Sequence, residues 1–306
     1  MSGAAIHHPR SLAALLWRRF LRHRLAVASA LLLLVLALLA LVAPLIEHWL
    51  GVVQWQTDLL SRLQGPSLAH PLGTDELGRD LFARLLHGGR VSLFVGLVAA
   101  LASTVIGTGL GVLAGYHGGR LDTLLMRLTD GVIALPLLPL LIVFAAVDPT
   151  ELGLPEALTR SESFSIYRVA MIIALVGWTN VARLVRGATL SMRERDFVLA
   201  AQAQGASAWR IMGVHILPNV ISPIIVATTL SVGGIILFES VLSFLGLGVQ
   251  PPNASWGNML TGAQDLIWDA PMLVVWPGLL IFVTVIAFNF LGDGLQDAFD
   301  PRAVER

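Results

Sequence analysis

The chain has no lysine and no cysteine, and only 13% of its 306 residues are charged. Each shortage removes a class of function. Without lysine there is no G-x-x-x-x-G-K-[ST] phosphate loop, so the chain does not bind ATP in that manner by itself. Without cysteine there are no disulfides and no thiolate chemistry, and the redox compartment is left undetermined. The net charge is zero, so nothing suggests a nucleic-acid partner. The eight histidines show no H-E-x-x-H or comparable ligand spacing, and neither a metal nor a cofactor is expected. All 20 basic residues are arginine.

Apolar residues fill the space that charge leaves. They make up 56% of the chain, too many for an ordinary soluble domain and fitting for a polytopic membrane protein. A bilayer core takes roughly 20 apolar residues in helical form. Six stretches meet that standard: 25–46, 91–115, 128–147, 167–186, 220–246 and 272–292. The expected fold is therefore all-α, with six transmembrane helices. Pro136 and Pro139 interrupt the third stretch, which is tolerable where neighbouring helices satisfy the freed carbonyls.

Arg18, Arg19, Arg22 and Arg24 precede the first stretch and favour a cytoplasmic N-terminus. A cleaved signal peptide would have a shorter apolar core, about 7–15 residues, so a retained anchor is expected. Alternating from there, 14 arginines fall on the cytoplasmic side, at 10, 18, 19, 22, 24, 120, 127, 183, 186, 193, 195, 210, 302 and 306. Six fall outside, at 62, 79, 84, 90, 160 and 168. The bias supports the count and the orientation. The expected organisation is a cytoplasmic tail (1–24), a first span (25–46), an extracytoplasmic segment (47–90) and a five-span core (91–292). The core contains a cytoplasmic loop at 187–219, and a cytoplasmic tail (293–306) follows it.

Residues 70–93 outside read as a helix leading into the second span, with Thr74 as its cap. Asp75 and Glu76 suit the positive end of its dipole. Asp75–Arg79 and Asp80–Arg84 are i,i+4 pairs, and Leu77, Leu81, Phe82 and Leu85 make an apolar face. Such a helix either packs on the bundle or offers an external surface for docking or gating. Gly107, Gly111 and Gly115 recur every fourth residue, a spacing that lets two helix backbones approach closely. In residues 249–271, Trp256 and Trp268 suit an interfacial aromatic belt. Met259, Leu260, Ala263, Leu266 and Ile267 suggest a short surface helix. Glu239 lies inside the fifth span, where a carboxylate costs about 2.5–3.5 kcal/mol. It is expected to face the bundle interior or a wet path, in a structural or a gating role. Asn289 and Asp293 lie nearer the cytoplasmic end of the sixth span. Glu239 and Asn289 are candidates for a translocation path or gate.

The most informative stretch is a polar, helix-prone island at 196–219, DFVLAAQAQGASAWRIMGVHILPN. Residues 197–204 are good helix formers and Gly205 stops them. Ser207 is placed to cap a second helix with anchors Trp209, Ile211, Met212, Ile216 and Leu217, which Pro218 is expected to terminate. A helix–Gly–helix elbow on the cytoplasmic face either lies on lipid or enters a groove on a cytoplasmic protein.

This island resembles the EAA loop of permease subunits in ABC importers, whose pattern is E-A-A, three residues, G, nine residues, I-x-L-P. Here Leu199-Ala200-Ala201, Gly205 and His215-Ile216-Leu217-Pro218 keep that register. Leu199 stands for the family glutamate and His215 for the first isoleucine. Residues 70–80 (HPLGTDELGRD), 242–252 (LSFLGLGVQPP), 255–259 (SWGNM) and 289–295 (NFLGDGL) resemble the C-type dipeptide/oligopeptide/nickel permeases. The likeness runs on to Asp300-Pro301-Arg302. It implies a subunit paired with a B-type permease, one or two cytoplasmic ATPase subunits and an extracytoplasmic solute-binding protein in a bacterial inner membrane. It also implies that Ala200, Ala201, Gly205, Ala206, Ser207, Trp209, Arg210, Ile211, Leu217 and Pro218 couple the subunit to the ATPase. Peptides are the cargo it implies, with nickel chelates or glutathione as alternatives. Three rivals come from other classes: an ion-coupled secondary transporter using Glu239, an intramembrane protease using Ser207 and His215, and a scaffold without transport.

Overall fold

The computed structural model describes residues 12–51, 53–151, 153–159 and 161–300. Arg10, Arg160, Arg302 and Arg306, and the family match at Pro301-Arg302, lie outside the described residues. The elements are α1 (Leu12–Arg22), α2 (Arg24–Leu50), α3 (Leu81–His117), α4 (Gly119–Ala134), α5 (Leu137–Ala146) and the short α6 (Glu156–Thr159). They continue with α7 (Phe164–Arg193), α8 (Asp196–Ala203), α9 (Ala208–Arg210), a π turn (Ile211–Ile216), α10 (Leu217–Phe244) and α11 (Met272–Phe299). No β-strand occurs among the described residues; a single bridge joins Thr74 to Asp80. Among the described residues, five helices are long and apolar enough to cross a membrane: α2, α3, α7, α11 and the continuous helix Ala208–Phe244.

The bundle is built on α3 and α7. A Cβ added to Gly107 or Gly111 would fall 2.6 Å from the carbonyl oxygen of Trp178 or Ala182. One added to Gly115 would fall 2.7 Å from the Cβ of Thr189. The three glycines therefore pack helix backbone on helix backbone, as their spacing anticipates. Around this seam Val95, Leu141, Val169 and Ile236 form a core shared by α3, α5, α7 and α10.

Two contacts define the ends of the bundle. At one end, called here the elbow end, Arg193 Nη1 donates to the Tyr116 carbonyl across 3.2 Å, joining the last turns of α7 and α3. At the far end, Arg168 Nη2 in the first turns of α7 donates to the carbonyl oxygens of Ala145 and Val147 (3.1 Å to Val147). The chain leaves α3 at the elbow end and enters α7 at the far end, so α4 and α5 make the crossing between them. They do so with an 87° bend. The expected third span at 128–147 is thus two helices, the first starting at Gly119. Pro136 causes the break: it holds Leu135 extended (ψ 137°) and, itself extended, stands as the cap before the new helix at Leu137. Pro139 falls in the first turn of α5, where a missing N–H costs nothing.

Two further expectations change. Residues 12–22, read as tail, form α1, and α11 runs on to Phe299, beyond the expected end at 292.

The glycine seam makes a testable prediction. Gly111→Leu forces α3 and α7 apart and destabilises the subunit by about 1–3 kcal/mol or more. Gly109→Leu, whose Cβ would meet nothing within 4 Å, leaves the fold unchanged. Thermal unfolding in detergent compares the two, and equal midpoints would contradict the seam.

Candidate functional site

The elbow begins where α7 ends at Arg193. Gly205 takes φ +81°, a left-handed conformation that glycine adopts without steric cost, and turns the chain between α8 and α9. The Ser207 side chain accepts the Arg210 N–H (3.4 Å) and starts the second helix, as expected. The elbow has two faces. Val198, Ile211, Met212 and Ile216 are buried and pack with Val112 of α3, Val181 and Val185 of α7, and Val220 and Ile224 of α10. Phe197, Leu199, Trp209 and Val214 are exposed, Trp209 by 75%. Among the candidate coupling residues, Ala200, Gly205, Ser207, Trp209, Arg210 and Pro218 are also exposed, whereas Ala201 and Ile211 are buried and Ala206 and Leu217 half-buried. Trp209 is therefore not an anchor onto the bundle; Ile211, Met212 and Ile216 are.

Pro218 does not end the second helix. Residues 208–244 run as one helix, and the π turn at Ile211–Ile216 lies just before the proline. The Leu217 N–H reaches back five residues to the Met212 carbonyl. This wider turn makes room for the ring of Pro218, which would otherwise press on the carbonyl of Val214. The protease reading finds no geometry: Ser207 is spent as a cap, and it makes no hydrogen bond with His215.

The other polar centre is at the far end. Glu239 is fully buried. Ser92 Oγ of α3 donates to its Oε2 (2.9 Å) and Ser243 Oγ of α10 donates to its Oε1 (2.7 Å). Each serine in turn accepts a backbone N–H from the loop after α10: Trp256 to Ser92 (3.2 Å) and Val249 to Ser243 (3.0 Å). One carboxylate thus ties α3, α10 and the loop through two hydroxyl relays. It faces the interior of this subunit's bundle. Asn289 is elsewhere. It is exposed on α11, its amide donating to the Val285 carbonyl (3.0 Å). The level of Val285 on α11 is that of Gly233 on α10, and Glu239 is about 9 Å further toward the far end at 1.5 Å per residue. The two candidate path residues are not brought together.

The rest of the far end corrects two more expectations. No helix forms over 70–80; α3 starts at Leu81, capped by Asp80, whose Oδ1 accepts the Ala83 N–H (2.7 Å). Thr74 caps nothing. Its hydroxyl donates to the Ser61 carbonyl and accepts the Gln64 N–H (2.9 Å). Asp75 instead closes a turn, accepting the N–H groups of Leu77 (2.8 Å) and Arg79 (3.0 Å), and pairs with Arg79 and Arg84. The expected Asp80–Arg84 pair is absent because Asp80 is taken by the cap and by His70 (3.0 Å). Gly73 (φ +85°) and Gly78 (φ +72°) impose this turn. In the loop at 249–271, Gly262 (φ +75°) splits the expected surface helix into two short 3₁₀ turns. Trp256 is 2% exposed with its indole N–H on the Leu85 carbonyl (3.0 Å), so it is core and not belt; Trp268 is exposed. A 380 Å³ cleft opens between the 75–84 turn and this loop, with Asp75, Arg84, Gln250, Asn258 and Thr261 in its lining.

Residues 107–305 match the family model for the binding-protein-dependent transport system inner membrane component. Residues 11–66 match the N-terminal TM domain of oligopeptide transport permease C. This chain belongs to the binding-protein-dependent transport permease family. Curated relatives of the permease extend over nearly its whole length. It is 40% identical to the glutathione transport system permease protein GsiD of Pectobacterium atrosepticum, covering 94% of this chain and 90% of the relative. It is 40% identical to the di/tripeptide transport system permease protein DppC of Pseudomonas aeruginosa (94% and 91%) and 39% to the dipeptide transport system permease protein DppC of Bacillus subtilis (94% and 84%). In fold it is similar to a chain of the MetNI methionine ABC transporter in an inward-facing conformation, with a TM-score of 0.55 at 19% identity over 73% of this chain and 97% of that one.

Sequence reasoning missed Ser92 and Ser243 in this permease. A serine in an apolar run is a weak signal, and the only sign was the need of Glu239 for buried partners. Glu239→Ala orphans both hydroxyls, at about 1–3 kcal/mol for each buried group left unsatisfied, and frees the loop at 249–258. Glu239→Gln keeps a group that can both accept and donate, and costs less. Limited proteolysis of the loop together with thermal unfolding should rank them wild type, Gln, Ala. Equal loop protection in all three would refute the tether.

Proposed function

We propose that this permease is a membrane subunit of an ATP-driven importer and that the elbow is the element through which ATPase subunits move it. The observation that carries the reading is the continuous helix from Ala208 to Phe244. It starts at the elbow with Trp209, Leu199, Phe197 and Val214 exposed and ends at the far-end Glu239 tether. Exposed apolar side chains gathered on an elbow of two helices suit a groove on a partner protein. A push on α9 is carried along about 55 Å of helix (1.5 Å per residue) to the loop at the far end. The path would open at one end or the other as this helix tilts.

In this reading the elbow faces the cytoplasm, in line with the arginine bias. A B-type permease completes the path, one or two ATPase chains supply the nucleotide chemistry that this lysine-free chain lacks, and a solute-binding protein delivers cargo at the far end. Di- and oligopeptides are the cargo that the named relatives support best. Glutathione, itself a tripeptide, is the second reading because of the likeness to GsiD. Identifying by mass spectrometry the ligand that co-purifies with the binding protein separates the two.

Trp209→Asp places a charge in the proposed groove. Gly205→Pro demands φ near −65° where the chain has +81°, and deletes the N–H that bonds the Gln202 carbonyl (2.9 Å). Both variants should reach the membrane at normal levels and lose substrate uptake. Normal uptake in both would overturn the coupling role.

A further inference from the structure

The first helix, α1, packs on α2 and on the end of α11. Its sequence LAALLWRRFLR is strongly two-sided. At 100° per residue, Leu16, Phe20, Trp17 and Leu21 share one arc while Arg18, Arg22 and Arg19 share the opposite one. Only the centre of the apolar arc is covered. Phe20 is buried with Ala26 and Ala298 against the end of α11, and Trp17 stacks on Phe20 at 5.9 Å. Trp17 and Leu21, on the flank of that contact, are exposed. Arg19 is used within the fold, donating to the Asp300 carbonyl (2.9 Å), and His23 lies 3.7 Å from Asp297. Arg18, Arg22 and Arg24 have no ion-pair partner among the described residues.

We infer that α1 is an interfacial helix that docks on an anionic lipid surface at the elbow end of the bundle, with Trp17 and Leu21 in the acyl boundary and Arg18, Arg22 and Arg24 on lipid phosphates. Two observations commit it to lipid. The helix is joined through the single residue His23 to α2, a membrane-crossing helix whose surface is mostly uncovered, which keeps its exposed apolar flank beside that surface's end. The charge along this part of the chain has one sign, since Glu47 is the first acidic residue of the sequence. A basic amphipathic helix with aromatic anchors binds where apolar burial and anionic headgroups coincide. Through Phe20 and Arg19, α1 then holds the end of α11 at the level of the headgroups.

The absence of cysteine makes the test direct. A nitroxide on Leu21→Cys reports depth in the full-length chain, reconstituted in vesicles of phosphatidylcholine alone or of equimolar phosphatidylcholine and phosphatidylglycerol. A label on Leu31→Cys in α2 marks the acyl region for reference. In the anionic vesicles the label at 21 should be relaxed by oxygen in preference to a water-soluble nickel chelate. Arg18→Gln with Arg22→Gln should lower the docked-to-undocked ratio roughly thirty-fold, each arginine at an anionic surface being worth about five-fold. Arg18→Lys with Arg22→Lys should restore it, and the wild-type chain in phosphatidylcholine alone should behave like the glutamine variant. Depth that ignores both lipid charge and the arginines overturns the inference. So does a label open to the chelate in both vesicles, or one shielded from oxygen and chelate alike, which would mean that protein covers the face.

Discussion

The backbones of α3 and α7 touch along Gly107, Gly111 and Gly115, and the positions of the other helices follow from that contact. Lipid tails are as apolar as leucine, so helices in a membrane gain little from burying apolar surface and must associate through close packing. Glycine lets two backbones reach dispersion contact over several turns, where many small attractions sum. The same device sets the next helices at lesser strength. Gly96 of α3 receives Ile236 of α10, and Gly233 of α10 lies against Val285 and Phe288 of α11. The order of packing runs outward from the seam, and α2 remains at the edge with most of its surface uncovered.

Within that frame the helix from Ala208 to Phe244 is held differently at its two ends. At the far end the hold is polar and directional: a buried carboxylate, two serine hydroxyls and two loop N–H groups. At the elbow end it is apolar, through Ile211, Met212 and Ile216, and apolar contacts slide at less cost than hydrogen bonds break. The π turn adds a point where the helix departs from its regular ladder, a feature that often marks a functional hinge. Under the proposed coupling role, a body fixed by directional bonds at one end and by packing at the other would pivot about the fixed end.

The sequence carried the membrane spans because length and apolarity are additive properties, readable without knowing what packs where. It carried the glycine seam for a similar reason, since spacing on a helix is local. It failed where one residue had several partners to choose from. Asp75, Asp80 and Arg84 sit at helical spacing, yet Gly73 and Gly78 bend the chain so that Asp80 takes His70 and a helix cap while Asp75 takes both arginines. Pro218 reads as a stop because proline breaks a regular helix; the π turn that accommodates it depends on Ile211, Met212 and Ile216 being pulled into a core made by three other helices. The turn at Gly205 between two helices was legible, but the second helix runs on past Pro218 to Phe244. Which of the elbow's apolar residues face in and which face out was not legible, because Trp209 and Ile211 differ only in what lies beside them.

The arginine-only composition has a structural consequence beyond the missing phosphate loop. Helix C-termini leave carbonyl oxygens unpaired, and a cation there is favoured by the helix dipole. Arg193 reaches the carbonyls of Gly115 (3.4 Å) and Tyr116 (3.2 Å) at the end of α3, and Arg168 reaches those of Ala145 and Val147 at the end of α5. Arg186 grips both oxygens of Asp122 on α4. Arg186 uses Nε and Nη2 for the two carboxylate oxygens, a fixed fork that a compact ammonium does not reproduce, whereas Arg193 and Arg168 each serve two carbonyls from a single Nη. These bridges fasten α3, α4 and α5 to α7 at the two ends of the bundle. Arg186 and Arg168 thus give the bent third crossing a polar hold on either side of its 87° break at Pro136.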